Sequence, residues 1–518
     1  MNVHSTQKHS LIIIGGGITG LSAAIAWAKN RDSSKYPVLL LEKQPIVGGM
    51  VTSFKRKGYT FDTSQLIPNP DDLFRYLEID CELKKFNGYF ARIFLVNQKE
   101  TTEIRIPSGY DEFREMLLQR YPSQRKELQN FFSYSKEMFS ELQHLKLQPS
   151  ALDLIKLLFK CPKIFKNSSR TFSQYFKSFG FSDPELFEIF DVFAAFSGLP
   201  AERAVAMMTV SAMNTTLWGS FRPLKGFIKL PQAMKRKAIE LGCQIKTRSQ
   251  VRKILIEHGK ATGVELTDGQ IFLADNIITT IDPKVAMKEL VGIDLVRKID
   301  PGYAEKVEQV RMSPSSITIS LGLDNEIDLE ALGLDCGYNV ITTGKGTFEK
   351  LFQAFDKGEY LLDENCFHTA VICPSLTTGG KPVIIIRIVP MPMKNWKLLK
   401  ETDPDLYKKK KEEVASFYIK QVERYFIPHL SEHIIVQDIA SPATFERYSG
   451  SPTGSNYDMS PYPDNFGLKR LKTRTPFTGL YQPKFSHGIW PSVQAGLQAV
   501  DMILDGEIMD GYSRYRPQ

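Results

Sequence analysis

Apolar and polar positions alternate between two periods along the chain. Residues 11–14 form a short, uniformly apolar run (Leu-Ile-Ile-Ile), the pattern of a strand buried on both faces. An alanine-rich amphipathic stretch over 18–29 predicts a helix, and 38–41 is a second apolar strand. Residues 59–67 alternate as a strand before a turn into a helix near Asp71. Helical spacing dominates 86–220, most clearly over 111–145 and 186–196. Short alternating runs from 251 to 278, with an Asp268-Gly269 turn, predict a β-meander whose last strand returns to the first βαβ unit. Residues 315–323 and 383–389 read as strands of a further sheet, 407–426 as a charged amphipathic helix, and 491–504 as a final helix after a strand at 480–481.

The punctuation between these elements carries chemistry. Gly15, Gly17 and Gly20 fall between the first strand and first helix in G-x-G-x-x-G spacing. In that position the first glycine permits a tight turn, the second lets backbone approach a pyrophosphate, and the third packs helix on strand. The helix start, at Ile18 and Thr19, offers N–H groups and a partial positive charge to phosphate. Glu42, at the tip of the second strand, is placed to accept ribose hydroxyls, with Lys43 beside it. The Gly48-Gly49 pair allows a second close backbone approach, followed by Met50. Strand, turn, helix, strand and acid in order within one βαβ span predict a dinucleotide site, where a lone glycine turn would not.

Glu42, Gly48-Gly49-Met50 and Phe61-Asp62-Thr63 together resemble the N-terminal signature of flavoproteins of the amine oxidase and phytoene desaturase superfamily. The resemblance extends through 223–234 and the meander into the last eighty residues. Residues 441–458 are similar to the corresponding run in carotenoid isomerases and retinol saturases. It implies FAD as the cofactor, with Val251 against the adenine and Trp490, Ser492 and Val493 beside the flavin. The implied fold is α/β: a discontinuous Rossmann-like FAD domain (1–85, 221–285 and 441–518) interleaved with a mixed α/β substrate domain and helical cap (86–220 and 286–440). The implied activity is an FAD-dependent oxidoreductase that desaturates, saturates or isomerises an apolar polyene. Three departures stand out. Met50 replaces an arginine common in the family, Lys484-Phe485 places bulk where backbone should approach the cofactor, and Trp490 replaces a smaller residue. They keep two alternatives open: an amine oxidase-like enzyme on a small substrate, with Tyr481 and Trp490 caging an amine, or a flavoprotein-fold binding protein without redox activity.

Composition refines this picture modestly. The chain has 518 residues and a net charge of +8, too long for a single core and only mildly basic. No nucleic-acid motif occurs, and no nucleic-acid partner is expected. Residues 151–166 interleave leucine, isoleucine and phenylalanine with Lys156, Lys160, Lys163 and Lys166, which suits a peripheral membrane contact as well as an ordinary surface helix. The six scattered cysteines lack C-x-x-C spacing and fit a reducing compartment, so the expected location is cytoplasmic, with or without a peripheral place on the inner face of a membrane. His429 and His433 stand four apart, but in a segment that reads as loop and strand, so no metal is expected. No Ser-His-Asp set or carboxylate pair suggests acid–base catalysis, and no catalytic residue is assigned.

Overall fold

The computed structural model describes residues 8–68, 71–86, 88–96, 100–142, 151–344, 346–483 and 488–508, apart from the side chains of 71, 151–154 and 468. Two seven-stranded sheets organise it. In the first, Lys8–Ile14 lies between Val38–Leu41 and Ile271–Thr279, parallel to both. Gln244–Lys246 extends it beyond Val38–Leu41, and Leu480–Tyr481 pairs with the end of Ile271–Thr279, again in parallel. Residues 11–14 and 38–41 are buried on both faces, which is why they read as continuous apolar runs. The antiparallel strands Val251–Glu257 and Lys260–Leu266 complete the meander, with Gly269 at φ +86° in the turn after Asp268.

Helix Ile18–Asn30 crosses Ile489–Ile503 at very close range. A Cβ on Gly496 would lie 2.1 Å from Ser22 Oγ and 2.3 Å from the Thr19 carbonyl oxygen, and Ser22 Oγ donates to the Val493 carbonyl at 2.9 Å. Segments 471 residues apart in sequence are thereby locked together beneath the glycine turn.

The second sheet runs in the order Ile434–Ala440, Ser315–Leu323, Val383–Met391, His368–Ile372, Tyr338–Thr342, Tyr89–Val96 and Thr101–Pro107. Its last two strands correct the helical reading of 86–220, since helix begins only at Tyr110–Arg120. Thr101–Pro107 does alternate exposed and buried positions, a period-2 signal that the helical text after it outweighed. The helical stretch 111–145 is also broken, at Tyr121-Pro122, into Tyr110–Arg120 and Arg125–Glu141. These helices, with Pro184–Ala195 and Ala206–Trp218, enclose a core rich in phenylalanine, where Phe131 and Phe190 rings lie 4.7 Å apart. Pro404–Tyr425 covers the second sheet with Val414, Ala415, Tyr418, Ile419 and Val422, the i, i+1, i+4, i+5, i+8 stripe of an amphipathic helix.

Residues 59–68 join the two halves. Tyr59 OH donates to the Leu323 carbonyl at 2.8 Å, and the buried Asp62 accepts from Ser53 Oγ at 2.6 Å and Phe227 N at 2.9 Å. The fully buried Arg222 donates to the Gln65 carbonyl at 2.7 and 2.9 Å, and Arg387 Nη2 to the Thr63 carbonyl at 2.6 Å. These tethers hold the segment over the middle of one large cavity.

Candidate functional site

The cavity has a volume of about 1730 Å³, well beyond the roughly 300–1000 Å³ of ordinary small-molecule pockets. It begins at the C-terminal edge of the first sheet, where α/β folds bind their ligands. Gly15 turns the chain at φ +105°, a conformation closed to most side chains, and a Cβ there would also strike Thr280 Oγ1 at 2.5 Å. A Cβ on Gly20 would lie 2.0 Å from the Gly15 carbonyl oxygen, so this glycine seats the helix on the turn. Gly17 is different: nothing lies within 4 Å of a Cβ placed on it, and it lines the cavity. The open space before Gly17, at a helix start that no side chain caps, is a cradle for a phosphate group.

Glu42 has a second task besides the one expected of it. Its Oε2 accepts from Gly16 N and its Oε1 from Gln44 N, both at 2.7 Å. A Cβ on Gly16 would sit 2.9 Å from Glu42 Cβ, so the middle glycine of Gly15-Gly16-Gly17 is required by the acid itself. Each carboxylate oxygen keeps a free lone pair for a ribose hydroxyl. Gly48 N donates to the Gly16 carbonyl at 2.8 Å, bringing the Gly48-Gly49 pair against Gly17. Lys43 leans on Gly450, half-buried, and burial depresses its pKa while Glu42 opposes that shift.

Gly15, Gly17, Ile18, Thr19, Glu42, Lys43, Gly48, Gly49, Met50, Val251, Trp490 and Ser492 all line this one cavity. Gly20 does not, being buried under the turn, and Val493 turns towards Ser22 in the helix crossing. Lys484 and Phe485 lie outside the described residues. Trp490 is half-buried, with Nε1 3.4 Å from Asp72 Oδ1, whereas Tyr481 packs into the sheet core away from the cavity. The two aromatics therefore do not form a cage. Asp282, Arg387, Tyr457 and Arg470 also line the space, although no local motif marks them. Of these, Tyr457 falls within the 441–458 run, and Asp282 is the acid just beyond a strand end.

Away from the glycine turn the walls become apolar. Phe139, Leu142, Leu157, Ile164, Phe165 and Phe196 contribute, with one face of Ala206–Trp218. That face carries Met208, Ser211, Ala212 and Thr215, at i, i+3, i+4 and i+7. Ser211 Oγ donates to the Met207 carbonyl at 2.8 Å, and Thr215 Oγ1 to the Ser211 carbonyl at 2.8 Å. Both hydroxyl protons are thus given to their own helix, which leaves this face without a free O–H donor.

Residues 151–166 form two helices, Ala151–Lys160 and Pro162–Asn167, broken at Cys161-Pro162. Leu157 and Ile164 turn inward, while Ile155, Leu158 and Phe159 are 54%, 51% and 82% exposed. Lys163 is held by Glu137 at 2.8 Å, and Lys156 and Lys160 stand exposed. No helix among the described residues is long and apolar enough to cross a membrane. His429 and His433 bond to different acids, Glu432 and Asp324, rather than facing each other.

Residues 18–459 match the model of the flavin-containing amine oxidoreductase family. The chain is 24% identical over 501 residues to prolycopene isomerase 2, chloroplastic, of an Oncidium hybrid cultivar, covering 92% of this chain and 80% of that protein. It is also 24% identical over 497 residues to the 4,4'-diapolycopene oxygenase of a Methylomonas species, covering 92% and 94%. Among solved structures, cyclohexylamine oxidase from Brevibacterium oxydans superposes with a TM-score of 0.61 at 15% identity, over 96% of this chain and 99% of that one. The open cradle at Gly17, the clamped Glu42 and the glycine pair fit a flavin dinucleotide. The chain belongs to the flavin-containing amine oxidoreductase family and is an FAD-dependent oxidoreductase.

Proposed function

We propose that the protein acts on an apolar polyene of carotenoid or retinoid type, changing its conjugated double bonds by desaturation, saturation or isomerisation. The observation that carries this reading is the wall built by Ala206–Trp218, whose hydroxyls are bonded to their own helix. The aromatic cage that a small amine would use is not formed, because Tyr481 does not reach the cavity. A hydrocarbon needs length and apolar walls, which this cavity supplies. The similarity to prolycopene isomerases and to a diapolycopene oxygenase supports the same choice.

When bound, FAD supplies a ring system that accepts or donates a hydride equivalent. The chain's own residues set the geometry. Gly17, Ile18 and Thr19 would present backbone to the diphosphate and Glu42 would hold the ribose, with Gly48, Gly49 and Met50 lining the same cavity. Val251 would border the adenine, and Trp490 and Ser492, which line the cavity at the uncapped start of Ile489–Ile503, would border the flavin. Arg387 stands across the cavity, steadied by the Thr63 carbonyl.

The exposed Ile155, Leu158 and Phe159 beside Lys156 and Lys160 would rest on an anionic bilayer. Leu157, on the same helix, lines the cavity, so the substrate would enter from the bilayer without crossing water.

The test presents the FAD-loaded protein with polyenes in liposomes and, separately, with a panel of primary amines. Polyene products on chromatography with no amine oxidation support the reading. Amine oxidation with every polyene recovered unchanged overturns it.

A further inference from the structure

One half-buried arginine of the cavity stands without a side-chain partner among the described residues. Arg470 follows the short turn Gly467–Lys469 and lines the cavity. Arg75 is exposed to solvent, and the remaining cavity cations are engaged: Arg387 on the Thr63 carbonyl, Arg252 on Glu265, Lys469 on Ser169 Oγ at 3.2 Å, and Lys43 beside Glu42. The Arg470 side chain has no hydrogen bond or ion pair among the described residues. Burial works against its charge, and the attraction of Asp458 only partly offsets this. A guanidinium stays protonated, so Arg470 brings a positive charge and uncommitted donors to the cavity wall. Arg470 is half-buried, so its remaining donors are open to a partner that enters the cavity.

Its position narrows the partner. The next residue, Leu471, is buried with Ile14, Ile277 and Leu480 in the core of the first sheet, and Gln482 N donates to the Thr473 carbonyl at 2.7 Å. The preceding residue, Lys469, reaches Ser169 beside the apolar wall. Arg470 therefore stands where the dinucleotide end of the cavity meets the apolar end. Met50, at the glycine pair, brings no charge.

We infer that Arg470 is an oxyanion anchor of this cavity, its planar fork taking two oxygens of a bound ligand. The ligand is either the diphosphate of FAD or a carboxylate at the end of the polyene. The inference rests on the cavity being the ligand site proposed above. Its test reads binding rather than turnover, so a wrong substrate class leaves the cofactor measurement intact.

Wild type, Arg470→Gln and Arg470→Lys, stripped of flavin, are titrated with FAD and with riboflavin, which lacks phosphate. The FAD-loaded forms are titrated with a polyene carboxylic acid and with the corresponding alcohol. Circular dichroism confirms folding, and Arg470→Lys carries the comparison if the glutamine variant aggregates. The expected result for Arg470→Gln is about a tenfold or greater loss for one oxyanion ligand, with its neutral counterpart within about twofold of wild type. Arg470→Lys recovers part of that loss, because it keeps the charge and loses the fork. A loss for FAD alone assigns the diphosphate, and a loss for the acid alone assigns the carboxylate. If both oxyanion ligands bind as tightly as to wild type, or the neutral ligands weaken equally, Arg470 is no anchor.

Discussion

Glu42 Oε2 accepts the backbone N–H of Gly16 at 2.7 Å, and that one bond ties the second strand of the sheet to the glycine turn of the first. With Gln44 N on Oε1, the acid shapes the loop before any ribose reaches it. Two backbone donors on one carboxylate contribute about 1–3 kcal/mol. Glu42→Ala is expected to lower stability by that amount in urea denaturation and to release FAD on gel filtration. Glu42→Gln presents an amide NH2 to one of these N–H groups and should recover little. Full FAD retention by the alanine variant would contradict this role.

The glycines differ in kind, and substitutions should separate them. Gly17→Val adds a side chain into open space, so the variant should fold with nearly unchanged thermal stability and bind FAD at least about tenfold more weakly. Gly20→Ala drives a Cβ to 2.0 Å from the Gly15 carbonyl and should cost about 1–3 kcal/mol even without cofactor. Calorimetry of the flavin-free proteins distinguishes the two.

The buried imidazole of His368, stacked 4.6 Å from the Phe348 ring, has its pKa pushed down to about 4 by burial. The folded state therefore refuses a proton that the unfolded chain accepts near pH 6.5. This contribution to stability is complete above pH 6.5 and is lost as pH falls towards 4, by about 3 kcal/mol in all. Denaturation of wild type and His368→Phe at pH 7 and pH 4.5 should show a gap between them that moves in favour of the variant at the lower pH. An unchanged gap would contradict the assignment.

The exposed face of Ala151–Lys160 predicts lipid binding. Leu158→Glu with Phe159→Glu should reduce flotation with anionic vesicles at least about tenfold, the loss expected from removing one or two inserted apolar side chains. The flavin absorption spectrum should not change. Equal flotation by wild type and variant would remove the membrane contact.

What the sequence disclosed followed local rules. The turn at Gly15, the strand at 38–41 and the meander turn at Asp268-Gly269 depend on neighbours a few residues away, and they are legible. The apolar wall is not. Ala206–Trp218 is buried almost all round and mixes Ala, Met, Ser and Thr without a clear stripe, so its cavity face appears only once its neighbours are placed. The Glu42 clamp on Gly16 and the isolation of Arg470 likewise arise from residues distant in sequence. The hairpin of Tyr89–Val96 and Thr101–Pro107 was masked by the helical text that follows it, although its alternation was there to read.

Desaturation, saturation and isomerisation all alter a conjugated chain, so each moves or reshapes the polyene's visible absorption. The most direct test is the spectrum of polyene extracted from liposomes after incubation with the FAD-loaded protein, its flavin oxidised in one arm and reduced in the other. The account predicts a shifted band or altered fine structure in at least one arm, lost in Ala212→Trp, which fills the apolar wall without touching the glycine turn. Unchanged spectra in both arms, across carotenoids and retinoids, from protein that retains FAD would contradict it.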